Sequence, residues 1–184
     1  VVAAVDLTDG WAPAVWLGAP APGGLALPPA KPSMAWMYSP RAVFVGEDHL
    51  VVADSGNHRV LIWHGMPDRD EQPADVVLGQ PDGETEGHGA GGRGPERGMN
   101  LPTGVLVHDG RLVVADAWHH RILVWNTVPQ TDDVGPDLVL GQICNLPYRA
   151  RFRGKVTLIG AADYGLPDIP PGYYDSVFVV RAID

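Results

Sequence analysis

Two acid–base pairs with the same spacing are the first residues in the sequence that could do chemistry. Asp54 precedes Arg59 by five residues, and Asp116 precedes Arg121 by the same five. A turn between adjacent strands would bring each carboxylate to its guanidinium, which can hold it through two parallel hydrogen bonds. Because such pairs more often hold a fold together than catalyse a reaction, we expect both pairs to be structural.

Two histidines are the candidate metal ligands, because His58 and His120 are separated by 62 residues, the spacing that also separates the two acid–base pairs. A zinc site needs three or four ligands, and a catalytic one keeps a position open for water or substrate. His119 would face away from His120 if both lay on a strand. We therefore predict no metal or other cofactor, and keep zinc or calcium at His58 and His120 as the alternative.

A run of alternating cations predicts a strand with its charges on one face. The cations are Arg149, Arg151, Arg153 and Lys155. This face could bind RNA phosphates or an acidic protein, or it could be a solvated edge that blocks aggregation. The formal net charge of −9, from 13 basic and 22 acidic residues, argues against general nucleic-acid binding and favours the solvated edge.

The pairs and the histidines lie in a repeat of about 62 residues. Leu50–Trp63 and Leu112–Trp125 are identical at nine of fourteen positions, and a second element ending in Gly18, Gly79 and Gly141 recurs in step. Two elements that repeat in the same phase indicate an array of like units.

Each unit is predicted to contain four short strands joined by turns rich in Gly, Asp, Asn and Pro. The first set is Arg41–Val45, Leu50–Asp54, His58–Trp63 and Ala74–Leu78, and the second is Gly104–His108, Leu112–Asp116, His120–Trp125 and Asp137–Leu140. Apolar residues are consecutive within the inner strands, so both faces of each sheet should be buried. Four-stranded antiparallel sheets stacked face to face at a fixed repeat predict an all-β protein of the β-propeller type.

The turn sequences resemble a known repeat. Asp54-Ser-Gly-Asn-His-Arg-Val60 and Asp116-Ala-Trp-His-His-Arg-Ile122 are similar to the core of the NHL repeat, and their flanks resemble its long-blade bacterial members. The resemblance implies propeller blades that act as a platform for a protein, RNA or ligand, with a minority of lyases, some of which hold zinc. Counting the repeated elements along the chain gives about three blades, so we expect a ring that is incomplete or completed by oligomerisation.

We expect residues 1–184 to form one propeller segment. Its parts are the end of a preceding blade (1–18), two blades (39–79 and 101–141) and a divergent blade or closing strands (146–184). Residues 1–6 show no signal peptide and no span of 18 apolar residues occurs, so we predict no membrane span. A single cysteine excludes an intrachain disulfide and slightly favours a cytoplasmic location.

The predicted function is a non-enzymatic binding module that presents loops on one rim of the blades. The partner would be a protein, a second copy that completes the propeller, or a small ligand. The candidate contacts are aromatic residues in predicted loops or turns, namely Trp11, Trp36, Tyr38 and Trp118. The alternatives are a metal-dependent lyase or lactone hydrolase, and RNA or anion binding through Arg149–Lys155.

Overall fold

A computed structural model of the chain describes residues 14–18, 31–144, 148–161 and 176–182. The first blade is an antiparallel sheet in which each strand pairs with the next along the chain. Its strands are β1 (Ala42–Val45), β2 (His49–Asp54), β3 (Arg59–His64) and β4 (Val76–Leu78). Short β-branched runs and tight turns favour this meander over helix. The sheet confirms the predicted fold class for this repeat.

The second blade repeats this arrangement 62 residues later and then continues. Its first four strands are β5 (Pro102–His108), β6 (Arg111–Asp116), β7 (Arg121–Trp125) and β8 (Leu138–Cys144). Strands β9 (Thr157–Ala161) and β10 (Ser176–Ala182) extend the sheet in the order β5-β6-β7-β8-β10-β9. The two sheets do not form a closed ring among the residues that the structure describes.

For residues 146–184 we expected a divergent blade or closing strands, and β9 and β10 join the second sheet. Strand β10 pairs antiparallel with β8 along its whole length, from Ser176 opposite Cys144 to Ala182 opposite Leu138. The outer edge of β8 offers unpaired backbone groups, and the β-branched sequence of β10 suits a strand that adds to such an edge. The strands therefore enlarge the second sheet.

The predicted strand over residues 149–155 is wrong. Tyr148–Phe152 form a short π-helix, which is followed by a turn. Arginine and alanine are strong helix formers, and no β-branched residue interrupts Tyr-Arg-Ala-Arg-Phe. Successive helical residues do not alternate between two faces, so the cations do not form the single-faced stripe that the sequence predicted.

The core lies between the blades. One face of the first blade and the facing side of the second share a buried cluster that contains Val51, Val60, Ile62, Leu78, Leu112, Leu123 and Trp125. The opposite face of the first blade forms a second cluster, including Leu50, Leu61, Trp63 and Val77, against which Leu17, Met34 and Met37 pack. Both faces of the first blade are buried, as its consecutive apolar residues predict.

The outer face of the second blade is less completely covered. Val51, Val60, Ile62, Val76 and Leu78 of the first blade are fully buried. Their equivalents Val113, Ile122, Val124, Leu138 and Leu140 remain partly exposed. Within the part of the chain that the structure describes, the second blade therefore leaves partly exposed the face that the first blade buries against its neighbour.

Of residues 1–18, assigned to a preceding blade, the structure describes 14–18. Leu17 packs on the first blade, and Gly18 forms a parallel bridge with Trp36. Ala14–Leu17, predicted as a strand, form no strand. The strand predicted over residues 1–6 lies outside the described residues.

Candidate functional site

The turn between β2 and β3 brings the first acid–base pair together. Asp54 ends β2 and Arg59 begins β3, and the two stand opposite each other in the strand register. Arg59 Nε donates to Asp54 Oδ2 at 2.7 Å, and both side chains are fully buried. The carboxylate also accepts the backbone N–H of Tyr38 at 2.7 Å and the side-chain amide of Asn57 at 2.9 Å. One carboxylate thus joins the turn to the segment that enters the blade.

The second repeat builds the same network from equivalent residues. Arg121 Nε donates to Asp116 Oδ2 at 2.7 Å, and the backbone N–H of Asn100 donates to Asp116 Oδ1 at 2.7 Å. His119 Nδ1 lies 2.9 Å from the same carboxylate, in the place that Asn57 takes in the first repeat. The side chain of Arg121 is 16% exposed, whereas that of Arg59 is fully buried.

The guanidinium groups tie the segments between the blades to the sheets. Arg59 donates to the carbonyls of Ser33, Trp36 and Gly83, each at 2.8 Å. Arg121 donates to the carbonyl of Gly98 at 2.7 Å. Charge-assisted hydrogen bonds of this kind are about twice as strong as neutral ones. The structure therefore places both predicted pairs in contact and gives each a set of backbone partners.

His58 and His120 lie at the ends of these turns rather than in the strands. They adopt φ values of 55° and 54°, so β3 and β7 begin one residue later than predicted. Nδ1 of His58 accepts the backbone N–H of Leu101 at 3.1 Å, which fixes the entry of the next blade. Ser55 Oγ donates to the carbonyl of Pro102 beside it. The first turn therefore holds the first strand of the second blade.

The surroundings of His58 favour its neutral form. Burial, and then the neighbouring His88, lower the pKa of His58 below its ordinary value. The two rings meet edge to face with centroids 6.2 Å apart. Within the described residues, no three His, Cys, Asp or Glu side chains come together in a group that could hold a metal. The expectation of no cofactor, with zinc or calcium at His58 and His120 as the alternative, stays a prediction.

Two of the four predicted aromatic contacts occupy equivalent places in the two repeats. Tyr38 is 63% exposed and Trp118 is 64% exposed. The carbonyl of Tyr38 accepts the N–H of Gly56 at 2.8 Å, and the carbonyl of Asn100 accepts the N–H of Trp118 at 3.1 Å. At the 62-residue offset, Tyr38 is equivalent to Asn100 and Gly56 is equivalent to Trp118. The same two positions are thus hydrogen-bonded in both repeats, and one of the two is aromatic in each. In the first repeat the aromatic residue supplies the carbonyl, and in the second it supplies the N–H.

The other two aromatic candidates differ from this pair. Trp36 is half-buried, and its carbonyl accepts a hydrogen bond from Arg59. Trp11 lies outside the described residues. Of the predicted cations, the side chains of Arg151, Arg153 and Lys155 are exposed on the helix and turn that replace the expected strand.

We call the end of the sheets that carries these features the turn face; it comprises residues 55–58, 117–120, 36–41 and 98–101. The antiparallel meander places the β2–β3 and β6–β7 turns at this end, together with the segments that enter β1 and β5. The β3–β4 and β7–β8 connections lie at the opposite end. Alignment of the two repeats pairs Tyr38 with Asn100 and Gly56 with Trp118, but it does not reveal the hydrogen bonds that join Tyr38 to Gly56 and Trp118 to Asn100.

Comparison with known families agrees with this geometry. The model of the NHL repeat matches residues 38–63 and 99–125, the stretches that contain the two acid–base pairs and their turns. The chain carries two NHL repeats. No curated protein matches the chain significantly. The matched repeats coincide with the first three strands of each blade, and repeats of this type form the blades of β-propellers.

One further finding concerns membranes. Among the residues whose structure is described, no helix has the length and apolar character needed to cross a bilayer.

Proposed function

We propose that this NHL-repeat chain is a non-enzymatic binding module that recognises a protein partner through the turn face. The observation that carries the proposal is the pair of exposed aromatics, Tyr38 and Trp118, at equivalent places on successive blades. Aromatic side chains dominate the binding energy of protein interfaces and are costly to leave in water. A regular spacing of such anchors suits a partner that lies across several blades.

The acid–base pairs support the proposal because they hold these positions rigid. Asp54 fixes the backbone N–H of Tyr38, and Asp116 fixes that of Asn100, whose carbonyl binds Trp118. Binding by loops that are already ordered loses less conformational entropy than binding by flexible ones. The network thus contributes to recognition by positioning the aromatics, without itself contacting the partner.

Binding through the turn face is tested with a library of displayed peptides. Peptides that bind the original chain are selected, and their affinity for variants of the chain is then measured. Tyr38→Ser combined with Trp118→Ser should weaken the selected peptides by about tenfold or more, as expected for loss of interface anchors. Met66→Ser is the control, because Met66 is an exposed apolar residue at the opposite end of the sheets. Peptides that bind the double variant as tightly as the original chain would refute the proposal.

A second interface is proposed on the outer face of the second blade, for a further blade of the same type. The residues that cover the first blade are Leu112, Val114, Leu123, Trp125 and Val139. The first blade carries the same residue types at the equivalent positions Leu50, Val52, Leu61, Trp63 and Val77. Leu17, Met34 and Met37 pack on those residues in the first blade, so a second copy would offer this surface to the partly exposed face only by displacing them.

This second interface is tested by sedimentation velocity over a range of concentrations. The chain should self-associate, and Val124→Lys on the outer face should abolish association. Val43→Lys on β1 is the matched control, because Val43 is already 61% exposed. A chain that sediments as a monomer at every concentration would contradict self-association as the means of completing the propeller.

A further inference from the structure

A cavity of about 620 Å³ lies between the two blades at their outer edge. Its walls are the segment that enters the second blade and the β7–β8 connection. Its apolar floor consists of Met99, Leu123, Trp125 and Val139, and the guanidinium of Arg121 lies at its end. This volume falls within the range of about 300–1,000 Å³ that is common for small-molecule sites.

The first repeat fills the equivalent place with its own residues. Met34 packs on the cluster that contains Leu61, Trp63 and Val77, the equivalents of three floor residues. The backbone N–H of Ala74 donates to the carbonyl of Met34 at 2.9 Å. That bond joins the entering segment to the β3–β4 connection, so the cleft between them is closed.

Two exchanges keep the cleft open in the second repeat. Pro136 stands where the first repeat has Ala74, and proline has no N–H to donate across the cleft. Glu96 stands where the first repeat has Met34, and its carboxylate lies close to Gly94. A methionine that would fill the floor is thus replaced by a polar residue that does not.

Counted over the described residues, the arginine at the end of the cavity has fewer protein partners than its equivalent in the first repeat. Arg59 donates to three carbonyls and is fully buried. Among the described residues, Arg121 donates to the carbonyl of Gly98 alone, in addition to its bond with Asp116. A guanidinium carries five N–H donors, so within the described part of the chain the partly exposed group has donors that make no bond to the protein.

We propose that this cavity binds a small molecule that combines one carboxylate with an apolar body. The carboxylate would accept hydrogen bonds from Arg121, the geometry that guanidinium groups favour. The apolar body would lie on Met99, Leu123 and Trp125. Glu96, Arg97 and Asp133 also line the cavity, and Arg93 holds the carboxylate of Asp133 through hydrogen bonds of 3.1 and 2.7 Å.

The test uses octanoate and its uncharged analogue octanamide as probes, followed by two-dimensional NMR. The indole N–H of Trp125, which donates to the carbonyl of Val134 at 3.0 Å, reports on the floor of the cavity. Its signal is assigned by its loss in Trp125→Phe. Octanoate should shift this signal in a saturable way, and octanamide should bind about tenfold more weakly, since a charge-assisted bond is lost.

The position of the bound ligand is tested by replacing two residues of the second repeat with their equivalents in the first. Glu96→Met combined with Pro136→Ala should close the cleft and weaken octanoate binding by about tenfold or more, while the thermal midpoint is retained. Glu84→Met is the control, because Glu84 is exposed in the same inter-blade loop and does not line the cavity. Equal affinity for acid and amide, unchanged binding by the double variant, or no shift of the Trp125 signal would each overturn the proposal.

Discussion

Replacing Asp54 by asparagine should destabilise the chain far more than the same change at an exposed aspartate. Asp54 is fully buried and accepts hydrogen bonds from Arg59, Asn57 and the backbone of Tyr38. Asparagine has almost the same shape but carries no charge. The substitution therefore leaves the guanidinium of Arg59 buried without its counter-ion, while the packing is hardly altered.

The expected cost follows from this burial. Removing one partner of a buried ion pair costs about 3–5 kcal/mol, a large part of the total of about 5–15 kcal/mol that stabilises an ordinary domain. For a chain of this length the thermal midpoint should fall by about 6–20 °C. Asp116→Asn should cost less, about 2–3 kcal/mol, because Arg121 is partly exposed to solvent.

The assay is urea unfolding followed by far-ultraviolet circular dichroism, with Asp75→Asn as the matched control. Asp75 also accepts a backbone N–H, that of His64 at 2.7 Å, but it does so at the surface. Its replacement should cost about 0.5–1 kcal/mol. If Asp54→Asn fails to fold, Asp116→Asn provides the measurement. Costs at Asp54 and Asp116 no larger than at Asp75 would show that the buried pairs do not stabilise the blades.

Three further substitutions test the turns. Because burial and a neighbouring imidazole lower the pKa of His58 from its ordinary 6.5, stability is complete above that value and falls as the pH drops toward the folded-state pKa. Asparagine tolerates the left-handed backbone and does not titrate in this range. The urea midpoint of His58→Asn should therefore decrease less than that of the original chain between about pH 7.5 and about pH 5.5. Gly98→Ala should cost about 1–3 kcal/mol in thermal unfolding, because a Cβ would collide with the backbone packed on it, whereas Gly135→Ala has open space and should change little. Ser55→Ala should cost about 1–2 kcal/mol in urea, because the buried carbonyl of Pro102 loses its donor.

The sequence predicts most of the sheet structure because the two repeats share their apolar pattern. Eight strands lie where the repeat places them, and the acid–base pairs meet as their spacing predicts. The errors occur where local pattern does not determine the outcome. The alternating cations of residues 149–155 also suit a helix, and the pairing of β10 with β8 joins residues more than thirty positions apart. His58 ends a turn because its backbone is left-handed, which no periodicity reveals.

The site was less predictable, since its features depend on comparing equivalent positions in three dimensions. Loop placement identifies Tyr38 and Trp118 as candidates, but their 62-residue equivalents are Asn100 and Gly56, not aromatic residues. Only the hydrogen bonds between the two segments show that both aromatics mark the same place. The cavity was harder still to predict from the sequence. It depends on Pro136 lacking the backbone N–H that the equivalent Ala74 donates to Met34.

The two repeats serve as controls for each other, and this separates structural residues from candidate binding residues. Where the repeats share both residue and contact, as at Asp54 and Asp116, the contact is part of what makes a blade. Where the backbone is shared but the residue differs, the second repeat should also accept the residue of the first. Met34 and Glu96 differ in this way beside the cavity, and Gly56 and Trp118 differ on the turn face. Glu96→Met should therefore weaken ligand binding in the cavity, and Trp118→Gly should weaken partner binding at the turn face. Both variants should keep the blades folded.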